Sequence, residues 1–425
     1  MIKYDLNVDD KEVIRDVLNK DLLNRNKYIN VILKQLNNIG DNNTIISLDG
    51  KWGSGKTVFL KSLQYIIENN DTSFDNINTE LIKSVGNKYA EVYYNAWKND
   101  NTENILKSIL YTIVIEHKLK DNDRLMKIIK NVIDFGNIAL KLKTNGSLDL
   151  KEELSAIIDL KKEFSNTINF LLEQENKKKL LIIIDEVDRC KPTFAVNLLE
   201  IIKHVFDDNR IIFIFGTNNK ELGNTICQVY GNQYDGYGYL DKFFDYHYEL
   251  FDEISKEKYI KYLIADTNTN NLNYRFLIEL IKIFDLTYRE INRVISMREN
   301  LSNLYCEGLN GEFNNFIKFV FLPLALVLKI KCKKDYYNFI DENGFDILEK
   351  VIDKISYNND IIQDIFYVLN YQTENVGEIK DANKEEKLTQ LKIKLKTYYN
   401  KCFNNKNEKD NINIAQLKDA LSMMY

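Results

Sequence analysis

The chemistry of this chain is concentrated in two short stretches. Residues 48–60 read LDGKWGSGKTVFL, and Gly50-Lys51-Trp52-Gly53-Ser54-Gly55-Lys56-Thr57 fits G-x-x-x-x-G-K-[ST]. Glycines there let the backbone curl so that its N–H groups converge on phosphate, helped by the positive end of the helix that follows. Lys56 is then placed to reach the β- and γ-phosphates of a nucleoside triphosphate, and Thr57 to offer its hydroxyl to Mg2+. The second stretch, Leu180-Leu-Ile-Ile-Ile-Asp185-Glu186-Val187-Asp188-Arg189-Cys190, is an apolar run that ends in acids. Asp185 suits the magnesium shell, and Glu186 is placed to orient and deprotonate an attacking water. A solvated acidic turn after a strand is the bland alternative. Following the phosphate loop at this distance, the pair points instead to ATP hydrolysis, with ATP and Mg2+ as cofactors.

The elements that must position these groups follow from hydrophobic pattern. Short apolar runs alternate with longer helical patterns, which predicts a parallel sheet with crossover helices. Strands are expected at 44–48, 90–95, 180–185, 211–215 and 244–250. Near-continuous hydrophobicity marks the third and fourth as central and buried on both faces. The fourth ends in Gly216-Thr217-Asn218-Asn219, where Asn218, or failing it Thr217, is placed to hold the lytic water. Turn chemistry explains the same residues equally well. Residues 104–179 are too long for a simple crossover and read as a helical insertion with a break at 143–147. Residues 251–300 and 301–425 read as helical, with the polar stretch 372–387 as a loop.

Composition bounds the remaining function classes. At 425 residues and 44% hydrophobic, the chain is long enough for two or three domains with a sizeable core. The net charge of -5 provides no global field toward nucleic acid or an anionic membrane. Five cysteines without CxxC spacing indicate a reduced, cytoplasmic protein with no disulfide framework, and three separated histidines offer no metal cluster. The run Phe319–Leu328 is about half of the ~20 residues that a membrane span requires, and Lys318 and Lys329 close it. It reads as a buried helix, with no integral membrane segment expected.

Taken together, several stretches resemble the KAP family of P-loop NTPases, relatives of the AAA+ and STAND groups. They are Asp21-Leu-Leu-Asn-Arg25, the tryptophan-bearing loop GKWGSGKT, YYNAWKND at 93–100, IIIDEVDRCKP at 182–192, Tyr239-Leu-Asp-Lys-Phe-Phe244 and Thr287-Tyr-Arg-Glu-Ile-Asn-Arg293. The likeness covers roughly residues 15 to 300. It implies a three-layer α/β P-loop NTPase with strand order 5-1-4-3-2, so that residues 1–300 form the NTPase domain and 301–425 a helical C-terminal region. It also draws attention to Arg189 and Arg289 as γ-phosphate sensors or fingers, a task that suits a permanently charged planar fork of donors. Helix capping by Arg189 and an ion pair of Arg289 with Glu290 or a nearby acid stand as their plain alternatives. Trp52 is read as a buried aromatic that supports the loop, with packing near the nucleotide base as the alternative. Many family members carry transmembrane helices where the 104–179 insertion lies, and this insertion lacks a suitable apolar run. The resemblance implies a regulatory ATPase acting on a protein partner or through self-association, in some members tied to phage exclusion and hence to antiphage defence. A nucleic-acid-linked ATPase and a nucleotide-binding scaffold with little turnover are the competing expectations.

Overall fold

The computed structural model describes residues 7–70, 72–102, 104–117, 150–205, 208–250, 256–265, 274–305, 311–341, 343–355, 359–369, 384–404 and 414–423. The chain forms two compact units, Leu6–Ile254 and Ser255–Tyr425, the second also including Met1–Asp5.

The first unit is built on five parallel strands: β1 (Thr44–Asp49), β2 (Tyr89–Asn95), β3 (Lys179–Asp185), β4 (Ile211–Thr217) and β5 (Tyr246–Glu249). Their spatial order is β2-β3-β4-β1-β5, which is the 5-1-4-3-2 order read from the other edge. Every residue of β3 and β4 is buried, as their unbroken apolar runs require of strands covered on both faces. One apolar layer, with Val92, Tyr94, Ile182, Ile184, Phe213 and Phe215, packs against the helix α5 (Ile105–Glu116). The other, with Ile46, Leu48, Leu181, Ile183 and Ile214, packs against α1 (Lys11–Lys20), α2 (Asn26–Asn38), α3 (Lys56–Glu68) and α4 (Thr79–Lys88).

The outer edge of β2 is closed by side chains from the end of α5. Glu116 Oε2 accepts the Tyr93 N–H at 3.0 Å, and the His117 ring nitrogen Nε2 lies 3.0 Å from the Glu91 carbonyl oxygen. Satisfying these groups removes the template that a bare edge strand would offer to another chain.

Three local expectations are revised. β5 begins at Tyr246, because Phe244 ends the preceding helix and turns into the core against Phe215, with ring centroids 5.4 Å apart. Within the stretch 104–179, the described residues form α5 and the helix α6 (Leu150–Glu175), and the expected break at 143–147 lies outside the described residues. The expected loop 372–387 ends earlier: a helix runs over Lys384–Asn404, with Glu385 and Glu386 suited to its first turn.

The second unit is helical in its described residues. Its helices include Arg275–Ile283, Tyr288–Tyr305, Leu322–Lys331, Phe345–Ile355 and Lys384–Asn404. Helices before residue 300 are tied to those after it: Arg275 pairs with Asp364 at 2.6 Å and Glu290 with Lys331 at 2.7 Å. This compact unit begins at residue 255. The stretch Glu312–Lys331 is long and apolar enough to cross a membrane, more than the run Phe319–Leu328 suggests. Its residues Phe321–Leu328 are buried in the core of this unit.

Candidate nucleotide-binding site

The loop between β1 and α3 has the shape that its glycines permit. Gly53 and Gly55 adopt φ +81° and +89°, left-handed values that a side chain resists. Gly50 is constrained by space: a Cβ there would lie 2.8 Å from Ser54 Oγ. Ser54 Oγ is itself buried and has no hydrogen-bond partner. An orphaned buried hydroxyl inside a curled loop fits an oxyanion that supplies the missing partner.

The segment Asp21–Arg25 braces this loop from outside. Asp21 Oδ1 accepts the N–H groups of Arg25 and Asn26 at 2.6 and 3.1 Å, and Arg25 donates to the Ser54 carbonyl at 3.3 Å. Leu23 Cδ1 would lie 3.6 Å from a Cβ at Gly55.

Lys56 is buried, and its ammonium donates to the carbonyls of Gly50 and Lys51. Burial pulls its pKa below the usual lysine value, while the carboxylates of Asp188, Asp185 and Asp49 oppose that shift. The loop thus holds a cation among three acids, ready to turn toward phosphate.

Asp185 ends β3 at 1% exposure, and its carboxylate accepts from three elements. Tyr93 donates its hydroxyl to Oδ2 at 2.7 Å, the Glu186 N–H donates to Oδ1 at 2.8 Å, and the Thr57 hydroxyl donates as well. Burial pushes the Asp185 carboxyl up, against the pull of these donors. Because Thr57 donates its proton to Asp185, its lone pairs are left for a cation, so the two fit a shared Mg2+ shell.

Glu186 follows in a left-handed backbone conformation, φ +64° and ψ +25°, a costly choice for a residue with a Cβ. Its carboxylate is held at both oxygens. Arg189 pairs with Oε1 at 2.7 Å, and Asn95 Nδ2 donates to Oε2 at 3.0 Å. The Arg189 guanidinium lies 5.7 Å from the Trp97 ring centroid.

Trp52 departs from expectation. It is 47% exposed, not buried, and its indole N–H donates to Asp188 Oδ2. The loop around it is polar and glycine-rich, so a carboxylate partner, not a core, anchors the ring. Burial raises the Asp188 carboxyl, opposed by the Trp52 bond and by Lys56.

At the end of β4, Asn218 caps the helix Asn219–Tyr230, its side-chain oxygen accepting from the Glu221 N–H at 3.4 Å. Thr217 is fully buried and donates to Asn219 Oδ1 at 2.6 Å, while the Asn219 N–H donates to Asp49 at 2.9 Å. Turn and cap chemistry thus accounts for the bonds seen at both residues. Lys56, Thr57, Asp185, Glu186 and Arg189 converge on one cradle. Arg289 belongs to the second unit, where it is exposed; Glu290 pairs with Lys331 and accepts from Thr287 instead. Pattern reading did not find the site roles of Tyr93, Asn95 and Asp188, although YYNAWKND and DEVDR contain them.

The model of the KAP family P-loop domain matches residues 25–305, well over half of the chain. The chain belongs to the KAP family. Its nucleotide-binding P-loop NTPase architecture is what that membership and the cradle above jointly require. The ORC2 protein of Aeropyrum pernix, solved as ADPNP–ADP complexes, is similar at a TM-score of 0.37 and 14% identity. The likeness covers 90% of this KAP chain and 93% of that one. Among curated proteins, none matches.

Proposed function

We propose that this KAP protein is a Mg2+-dependent ATPase that uses ATP binding and hydrolysis as a regulatory switch on a protein partner. The observation that carries this reading is Glu186. A carboxylate in a strained backbone position, adjacent to Asp185 and beside the phosphate cradle, is what a general base for hydrolysis requires and a binding scaffold does not.

In the proposed mechanism, Lys56, Ser54 and the loop N–H groups bind the triphosphate, and Thr57 with Asp185 hold Mg2+. The metal, when bound, neutralises charge on the β- and γ-phosphate oxygens. Glu186 takes the proton of a water whose oxygen attacks the γ-phosphorus as the bond to the ADP oxygen breaks. In the structure both Glu186 oxygens already accept, from Arg189 and Asn95. That hold occupies both carboxylate oxygens, which favours slow basal turnover and a switch released when ATP or a partner draws the donors away. Arg189 is well placed for such an exchange, since a γ-phosphate competes with a carboxylate for the same planar fork. Antiphage defence is the setting we infer from the family resemblance alone. Plating of phage on hosts with and without the intact chain tests it.

The direct test uses Glu186→Gln and Lys56→Ala. Glu186→Gln keeps ATP and Mg2+ affinity, and phosphate release falls by ~10²–10⁴-fold, the usual contribution of a general base. Lys56→Ala folds but does not bind ATP by calorimetry. Wild-type phosphate release from Glu186→Gln removes Glu186 from catalysis. A stalled Glu186→Gln that enriches a partner over both wild type and Lys56→Ala supports the switch, because ATP shifts a conformation only by binding it more tightly. A stalled protein that enriches nothing overturns the switch and leaves the ATPase.

A further inference from the structure

Asp185 receives a donor that no phosphate-binding motif supplies. Tyr93 stands on the neighbouring strand, and the register pairs Asn95 with Asp185 and Tyr93 with Ile183. Tyr93 and Asp185 therefore share a face of the sheet, offset by two residues, about 6–7 Å along the strands. A tyrosine can close that gap with its ring and still place its hydroxyl on the carboxylate. The bond it makes to Oδ2 is 2.7 Å long.

We propose that Tyr93 is the positioning residue of the metal-binding carboxylate: it fixes the rotation of Asp185 before the cation arrives. The inference rests on the Mg2+-ATPase reading above and deepens it by one residue. Three independent contacts hold Tyr93 in place. Its hydroxyl is on Asp185, its N–H is held by Glu116 at 3.0 Å, and the Lys61 ammonium lies 3.6 Å from its ring centroid. Lys61 is in turn paired with Asp9 at 3.4 Å, and Tyr93 itself is only 8% exposed.

The consequence for Asp185 is geometric. With Oδ2 taken by Tyr93 and Oδ1 by the Glu186 N–H, the plane of the carboxylate is set from two sides. A shell carboxylate locked in this way loses little freedom when metal binds, whereas one without the tyrosine must be ordered in part by the metal itself. Phenylalanine at 93 keeps the ring, the Lys61 contact and the backbone bond, and removes only the donor. Outer-shell donors of this kind are typically worth ~10–100-fold in metal affinity.

The test measures ATP binding to the full chain by calorimetry, first in EDTA and then with Mg2+ titrated. Tyr93→Phe is expected to keep wild-type ATP affinity in EDTA and to need ~10-fold or more free Mg2+ for the same gain in affinity. Lys61→Met, which loosens the ring without touching the carboxylate, is expected to move the Mg2+ requirement in the same direction by about 3-fold. It covers the case in which Tyr93→Phe fails to fold. An unchanged Mg2+ requirement in Tyr93→Phe overturns the assignment. So does a loss of ATP affinity already present in EDTA, which marks a packing role. If wild type binds ATP with no response to Mg2+, the Mg2+-ATPase reading itself falls and this inference with it.

Discussion

Trp52→Phe is the perturbation that most directly probes how the phosphate loop is held. In the structure the Trp52 indole N–H crosses from the loop to Asp188. Asp188 is 8% exposed, so its carboxylate depends on protein donors, whereas Trp52, at 47% exposed, loses little when freed. A hydrogen bond to a charged, buried acceptor is worth about 1.5–3 kcal/mol, and water reaching the vacated edge recovers part of it. The expected cost of Trp52→Phe to the stability of the NTPase unit is therefore about 1–2 kcal/mol. A loop that must be ordered when nucleotide arrives should also bind ATP about 3–10-fold more weakly, matching 0.5–1.5 kcal/mol of ordering. The chain has two tryptophans, Trp52 and Trp97. In Trp52→Phe the emission therefore comes from Trp97 alone and still reports unfolding, and calorimetry reads the ATP affinity. A double-mutant cycle with Asp188→Asn isolates the tether, and a coupling of about 1 kcal/mol is expected. Strictly additive effects on stability and affinity refute the tether.

Two further predictions concern buried charge. Glu91 faces Glu68 and Glu116, and burial together with these acids raises its pKa to about 8, against the opposing pull of Lys177. A carboxylate with a raised folded pKa binds more protons folded than unfolded, so its penalty is absent near pH 4.5 and grows until about pH 8. Glu91→Gln should accordingly match wild type at low pH and be more stable by about 1–3 kcal/mol above pH 8, read from urea midpoints. An equal difference at both ends of the range rejects this. In the second unit, Arg298 is buried beside Tyr274 and Phe319, with ring centroids 4.3 and 5.9 Å away, and its Nε has no hydrogen-bond partner. Cation–π contacts of up to ~2 kcal/mol do not offset the burial of a guanidinium, so Arg298→Met should leave the melting midpoint unchanged or raise it. A fall of several degrees contradicts that balance.

Much of the first unit was legible in sequence because its signals are local. β3 and β4 are unbroken apolar runs, and a strand covered on both faces has to be one. The loop and the acids at the tip of β3 each announce themselves within a dozen residues. The strand order was not readable from pattern and came with the family resemblance. The extent of β5 was misjudged because Phe244 looks like a strand residue, and only the packing of its ring against Phe215 shows that it belongs to the turn before the strand. Lys384–Lys387 looked like loop because charge without apolar spacing carries no helical period, although Glu385 and Glu386 suit the first turn of the helix observed.

What stayed hidden has a common physical origin. Tyr93 donates to Asp185 across 92 residues of chain, Asn95 to Glu186 across 91, and Trp52 to Asp188 across 136. A motif records which groups a strand carries at its tip, since that is fixed by the chain's own direction. The sideways partners of those groups depend on which strand lies next and in what register, and a parallel sheet puts residues there from distant parts of the chain. The pairing of Asn95 with Asp185 is what turns the YYN of β2 into a wall of the site. It places one donor on each acid at the tip of β3, with Tyr93 on Asp185 and Asn95 on Glu186. The edge strand therefore supplies the donors that orient both carboxylates, and the phosphate-binding motifs supply the carboxylates themselves.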